Sequence, residues 1–204
     1  MRAFTATDVA VLVFAKAALP GRAKTRLIPR LGEWRAARLQ ARLTARALRT
    51  ARDARCGTVE LHVLGGKTFR IRTKKQKGAN LGERMYRALR STLRRHRAAI
   101  VIGTDCPVLT PHDLRRAARL LCGGCDAVIA PAEDGGYALI GMRKVSAGIF
   151  SGIAWGGSDV YSETAKRLDS AGYRWRALRR VWDLDRPSDL DRLASLGLRS
   201  RRFS

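Results

Sequence analysis

At 204 residues, 46% of them hydrophobic, the chain is long enough for one buried core, and no apolar run approaches the roughly 18 residues of a membrane-spanning helix. The formal net charge of +24 creates a field that attracts phosphates, nucleic acid and anionic membranes, but it is also what a solvated arginine-rich surface gives. Four cysteines (Cys56, Cys106, Cys122 and Cys125) are too few for a disulfide framework and suit a reducing compartment, so the expectation is one cytoplasmic domain over residues 1–204.

In chain order, Val9–Lys16 (VAVLVFAK) reads as a buried strand rather than a signal peptide. Its apolar run is short, and Lys16 stands where a small-residue cleavage site belongs. A helix is predicted over Glu33–Asp53 and a second strand over Val59–Leu64. Residues Gly65–Gly78 alternate briefly through Phe69 and Ile71 before turning basic, which predicts a short edge strand plus loop. A helix over Leu81–His96 and a strand over Ala99–Gly103 follow. Thr110-Pro111 supplies a capping hydroxyl and a first-turn proline for a helix over Pro111–Leu121. That helix ends at the Gly-Gly of Cys122-Gly123-Gly124-Cys125, a lone pair of cysteines with His62, His96 and His112 scattered elsewhere, which does not make a zinc site. Ala127–Ala130 reads as a strand and Tyr137–Met142 as its hairpin partner after Gly135-Gly136; helices over Ser158–Ala171 and Pro187–Leu196 complete the series. The alternation of strands and helices predicts an α/β fold, a mostly parallel sheet flanked by helices with one small hairpin.

Three constellations carry chemistry. Pro20-Gly21-Arg22-Ala23-Lys24-Thr25-Arg26-Leu27 follows the first strand, where open α/β sheets bind ligands. Gly21 lets the backbone approach a phosphate, and Arg22, Lys24 and Arg26 would share one side of an extended loop. The loop is neither a Walker motif nor GxGxxG, so P-loop and Rossmann binding are not indicated. The second constellation is acidic: only 17 Asp and Glu occur, yet Asp105, Asp134, Asp183 and Asp185 each fall just beyond an apolar run. Mg²⁺ prefers one or two such carboxylates with a substrate phosphate completing its shell, although each aspartate alone also suits a cap or turn. The third is Glu133-Asp134-Gly135-Gly136-Tyr137, in which paired glycines turn tightly beside a ligand and Tyr137 either stacks on a base or packs into a hairpin.

Five ordered blocks, FAKAALPGRAKTRLIPRLG, NLGERMYRAL, VIGTDCPVLTPHDL, APAEDGGYALIGM and WDLDRPSDLDRL, resemble those of the bacterial GT-A-like transferases called domain-of-unknown-function family 2064. That family is similar to phospholactate guanylyltransferases and molybdenum-cofactor nucleotidyltransferases. The resemblance implies a nucleotide-binding sheet in which Asp105 is a catalytic metal ligand and Asp185 the second, with Asp183 as a substitute. It makes Lys24 and Arg26 phosphate-facing, Mg²⁺ or Mn²⁺ the cofactor, and a nucleotide or nucleotide sugar plus a small phosphorylated or hydroxylated acceptor the partners. The stretch between Leu64 and Leu81 is shorter than usual for the family, and Asn80 stands where an aspartate is common. Nucleotidyl transfer is preferred over glycosyl transfer because the basic loop suits a triphosphate. A different class of function stays open: Arg35, Arg38, Arg42, Arg46 and Arg49 recur at helical spacing as a possible phosphate track, which would give weak, non-specific nucleic-acid binding.

Overall fold

A computed structural model of the protein describes residue 5, residues 8–66 and residues 73–195. Seven strands form one sheet in the order β3-β2-β1-β4-β6-β5-β7. They are β1 (Val9–Lys16), β2 (Val59–Leu64), β3 (Thr73–Lys75), β4 (Ala98–Gly103), β5 (Ala127–Pro131), β6 (Tyr137–Met142) and β7 (Trp175–Ala177). Only β6 runs against its neighbours, pairing antiparallel with both β4 and β5; the other pairings are parallel. The helices are α1 (Ile28–Leu31), α2 (Glu33–Asp53), α3 (Leu81–Leu93), α4 (Pro111–Cys122), α5 (Val160–Ser170) and α6 (Pro187–Ser195).

The central strand shows why the sequence takes this form. Alternate residues of β1 face opposite sides of the sheet. Val9, Val11, Val13 and Ala15 join one core with α2 and α4, through Ala47, Leu48, Ala51, Leu114 and Leu121. Ala10, Leu12 and Phe14 join the other, with Met85 and Leu89 of α3 and Leu168 of α5. A strand covered on both faces has no polar side, which is why its sequence is a continuous apolar run. A third cluster, Leu27, Leu39, Leu43, Trp182, Leu184 and Leu193, binds the loop after β1 and the segment before α6 to the first half of α2. It fixes the two chain segments that carry most of the candidate site.

The predicted helices and the five longer strands are present, with ends shifted by a few residues. The capping hydroxyl of Thr110 accepts from the Asp113 amide and Asp113 reciprocates, a complete capping box. In the stretch Gly65–Gly78, Phe69 and Ile71 lie outside the described residues, as does Leu196 at the predicted end of the last helix. Within the same stretch the described residues form an edge strand at Thr73–Lys75, in the part expected to be a basic loop, where Lys74 pairs with Glu60 of β2 at 2.6 Å. Strand β7 was not anticipated. The helix before it starts at Val160 rather than Ser158, with Asp159 at its N-cap.

Candidate functional site

The candidate site lies at the carboxyl-terminal edge of the sheet, where the segments after β1, β4 and β5 meet the chain between β7 and α6. The loop after β1 is not extended as expected. The Arg22 and Ala23 amides both donate back to the Leu19 carbonyl, and Gly21 supplies the positive φ of 74° that this tight turn requires. The three cations therefore diverge: Arg22 and Arg26 are exposed, while Lys24 is buried. Lys24 sits in the left-handed region (φ 50°, ψ 45°), which costs a residue with a Cβ about 1 kcal/mol. Its ammonium offsets that cost by donating to the Leu184 carbonyl and by pairing with Asp105 Oδ1 at 2.9 Å.

Asp105 follows Thr104 at the end of β4, and its backbone carbonyl accepts from the Leu184 amide at 2.8 Å. This bond ties the segment Val181–Asp185 across the edge of the sheet; Val181 also bridges Ala132 beyond β5. Within the segment Val181, Trp182 and Leu184 are buried, leaving the carboxylates of Asp183 and Asp185 toward the cluster. Burial, then the neighbouring carboxylates of Asp105, Asp134 and Asp185, push Asp183 up to about 7, with Lys24 pulling in the opposite direction. Four sequence-predicted aspartates thus interact around one buried lysine. Asp183 Oδ1 is buried without a hydrogen-bond partner, a costly state for a carboxylate unless a cation or a proton meets it.

The other predicted residues play visible structural parts. Arg26 pairs with Asp185, and Arg30 pairs with Asp191 through two contacts of 3.0 and 2.7 Å, so the loop after β1 is strapped to the start of α6. Asp189 accepts from the amides of Asp185 and Arg186 at 2.9 and 2.6 Å and so sets the turn that presents Asp185. Asp134 accepts from the Gly136 amide at 3.0 Å in a turn. A Cβ on Gly135 would lie 1.8 Å from the Ser158 carbonyl oxygen, so this glycine makes room for protein rather than for a ligand. Tyr137 takes the packed alternative, edge-on to Trp155 with ring centres 6.5 Å apart. Asn80, departing from the expected aspartate, caps α3 by accepting from the Glu83 amide at 2.9 Å. Along the arginine stripe Arg42 and Arg46 are half-buried, and Arg46 donates to the Pro107 carbonyl at 2.8 Å, so the exposed track is interrupted. Cys106, beside Asp105, is driven up to about 12 by burial first, which makes it a poor nucleophile.

Sequence reasoning missed Gln40, Thr44 and Thr104. Gln40 on α2 is buried, and its amide lies 3.0 Å from the Thr104 hydroxyl, which in turn is 3.3 Å from Asp105 Oδ1. The one signal available was a glutamine on the apolar side of an otherwise regular helix.

Among the described residues no three His, Cys, Asp or Glu side chains form a ready-made metal cage. The donor set nevertheless suits a hard cation that draws part of its shell from a ligand: Asp183 lies within electrostatic reach of Asp105, Asp134 and Asp185, and one of its buried oxygens has no partner.

The seven-stranded, mostly parallel sheet flanked by helices is an α/β fold that matches solved structures of the nucleotidyltransferase, GT-A-like kind. A protein from Desulfovibrio desulfuricans G20 described as a "putative nucleotide-diphospho-sugar transferase" superposes with a TM-score of 0.81 at 29% identity, covering 88% of this chain and 83% of its own. Two more distant structures share the fold. Rv0371c from Mycobacterium tuberculosis H37Rv, solved in complex with manganese, is 18% identical with a TM-score of 0.55, over 94% of this chain and all of its own. A CMP:2-keto-3-deoxy-manno-octonic acid synthetase complexed with CTP is 13% identical with a TM-score of 0.53, over 93% of this chain and 98% of its own. Residues 60–157 match the family described as "Uncharacterized protein conserved in bacteria (DUF2064)", a span that takes in the second, third and fourth of the five sequence blocks. No curated protein matches the chain.

Proposed function

We propose that the protein is a divalent-metal-dependent transferase whose donor is a nucleoside triphosphate or a nucleotide sugar, with nucleotidyl transfer preferred over glycosyl transfer. One observation carries the reading: Asp105, Asp134, Asp183 and Asp185 interact at the carboxyl-terminal edge of a parallel sheet beside a buried lysine, Lys24. We place the transferase domain over residues 1–204 and in the cytoplasm, in keeping with four unpaired cysteines.

In this reading Asp105 and Asp185 hold Mg²⁺ or Mn²⁺, with Asp183 able to substitute. These carboxylates would hold the ion beside the donor phosphates, where it would supply positive charge to offset that developing on the leaving group. Lys24, held between Asp105 and the Leu184 carbonyl, meets the phosphates at a fixed position. Arg26 reaches them by exchanging its exposed pairing with Asp185, and Arg22 stands at the mouth of the turn made by Gly21. Asp134 and its Gly135-Gly136 turn border the same edge. The acceptor is a small molecule whose phosphate or hydroxyl oxygen attacks either the α-phosphorus of a nucleoside triphosphate, breaking its bond to the oxygen of the departing pyrophosphate, or the sugar carbon of a nucleotide sugar, breaking its bond to the departing nucleoside diphosphate. Alignment and charge compensation supply the rate, and no protein nucleophile is required.

A thermal-shift panel of nucleoside triphosphates and nucleotide sugars with Mg²⁺ or Mn²⁺ tests this. A ligand at 100 times its Kd adds about 2.7 kcal/mol. For a chain of this size that shifts Tm by roughly 5–10 °C. Hits among triphosphates alone favour nucleotidyl transfer, hits among nucleotide sugars favour glycosyl transfer, and a panel without hits overturns both.

A further inference from the structure

We propose that Gln40 and Thr104 are positioning residues that orient the Asp105 carboxylate for cation binding, an inference that rests on the metal-dependent reading of the site. The hydrogen-bond directions follow from what each group can donate. Thr44 commits its hydroxyl proton to the Gln40 carbonyl at 2.9 Å, so toward the Gln40 side chain, 3.4 Å away, its oxygen can only accept. The Gln40 amide group therefore faces it with Nε2, and the same nitrogen donates to Thr104 Oγ1 at 3.0 Å. A hydroxyl has one proton. With its oxygen accepting from Gln40, Thr104 directs that proton to Asp105 Oδ1 at 3.3 Å.

Asp105 Oδ1 thus takes two donors, Thr104 Oγ1 and Lys24 Nζ, and Oδ2 is the oxygen left for a cation. Such a relay explains a residue that packing alone does not. Gln40 is 2% exposed and Thr44 is buried, on the side of α2 that otherwise presents Ala36, Ala37 and Leu43, and Thr104, just after β4, is buried as well. Buried polar groups cost stability unless fully paired, whereas leucine at position 40 would extend the apolar stripe. Groups that orient a metal ligand typically contribute 10- to 100-fold in metal affinity.

The experiment is Mn²⁺ binding to the intact protein, followed by titration calorimetry and by the electron paramagnetic resonance of the free ion, with unfolding measured in parallel. Gln40→Leu and Thr104→Val should each weaken Mn²⁺ binding about tenfold, whatever their effect on stability. Thr104→Ser, which keeps the hydroxyl, should stay within about twofold of the parent. The double variant should bind no more weakly than Thr104→Val alone, because Gln40 acts through Thr104. Should Gln40→Leu fail to fold, the Thr104→Val and Thr104→Ser pair still decides the matter. Mn²⁺ affinity unchanged in Thr104→Val, while Asp105→Asn abolishes binding, overturns the positioning role and leaves the metal site standing. Failure of the parent protein to bind Mn²⁺ overturns the metal reading and this inference with it.

Discussion

Replacing Lys24 with methionine tests the heart of the site, because methionine keeps the apolar stem and removes only the charge. The side chain of Lys24 is 3% exposed and that of Asp105 is 43% exposed. Breaking a fully buried ion pair costs about 3–5 kcal/mol, mostly from the charge left behind. Asp105 keeps nearly half its side chain in water, so we halve that figure to about 2 kcal/mol. For a chain of this length each kcal/mol shifts Tm by about 2–4 °C, so calorimetry should record a fall of about 4–8 °C. Nucleotide affinity should drop by roughly 10- to 100-fold, the loss of one charge-assisted hydrogen bond worth about 1.5–3 kcal/mol. Mn²⁺ should move the other way and stabilise the variant at least as much as the parent, since the competing ammonium has gone. A Lys24→Met protein with parental Tm and parental nucleotide affinity would refute the reasoning.

Other expectations follow from single contacts. Gly135→Ala, whose Cβ would meet the Ser158 oxygen at 1.8 Å with φ at 88°, should lose more than about 3 kcal/mol in urea unfolding, and a loss under 1 kcal/mol would show that the turn relaxes freely. Thr110→Ala removes one half of the capping box of α4 and should cost about 1–2 kcal/mol, with Thr110→Ser near neutral. His62 titrates below its usual range because burial disfavours its charged form, against the attraction of Glu60 at 3.0 Å and with Lys74 close by. The unfolded chain then takes up the proton first, so this contribution is present above about pH 6.5 and lost as pH falls below it; His62→Gln should flatten that part of the stability–pH curve.

The strands were legible where burial on both faces forces an apolar run, as in VAVLVFAK, and the helices where leucine and alanine recur at helical spacing. Strand β7 was not legible because its three residues are held by pairing of Ala127 to Trp175 and Ile129 to Ala177, a backbone register that leaves no apolar signature in WRA. The acidic cluster was anticipated because aspartates are scarce and each follows an apolar run. The state of Lys24 was not, since the carbonyl that buries it lies 160 residues away in sequence. A basic loop reads as exposed until its tertiary partners are known. Gln40 escaped for the converse reason: a single polar residue in a helix reads as surface, and only the fold shows that it faces Thr104.

Charge at the site argues for the metal more strongly than any one ligand does. Four interacting carboxylates, Asp105, Asp134, Asp183 and Asp185, are met at close range by two cations, Lys24 and Arg26, leaving 4 − 2 = 2 uncompensated acids when all are ionised. One of them, Asp183, is poised near 7 because burial and its neighbours oppose its ionisation. The chain's net charge of +24 attracts phosphates, yet a triphosphate arriving at this edge would meet local negative charge. A divalent cation held by these carboxylates, as proposed, would resolve the conflict by supplying the two missing charges. The consequence separates two sources of nucleotide affinity. Raising salt should weaken binding gradually by screening the outer arginines. Chelating divalent ions at constant ionic strength should remove most nucleotide-dependent stabilisation at once. If a triphosphate raises Tm equally with excess chelator and with Mn²⁺, the outer arginines alone bind it and the carboxylates serve another purpose.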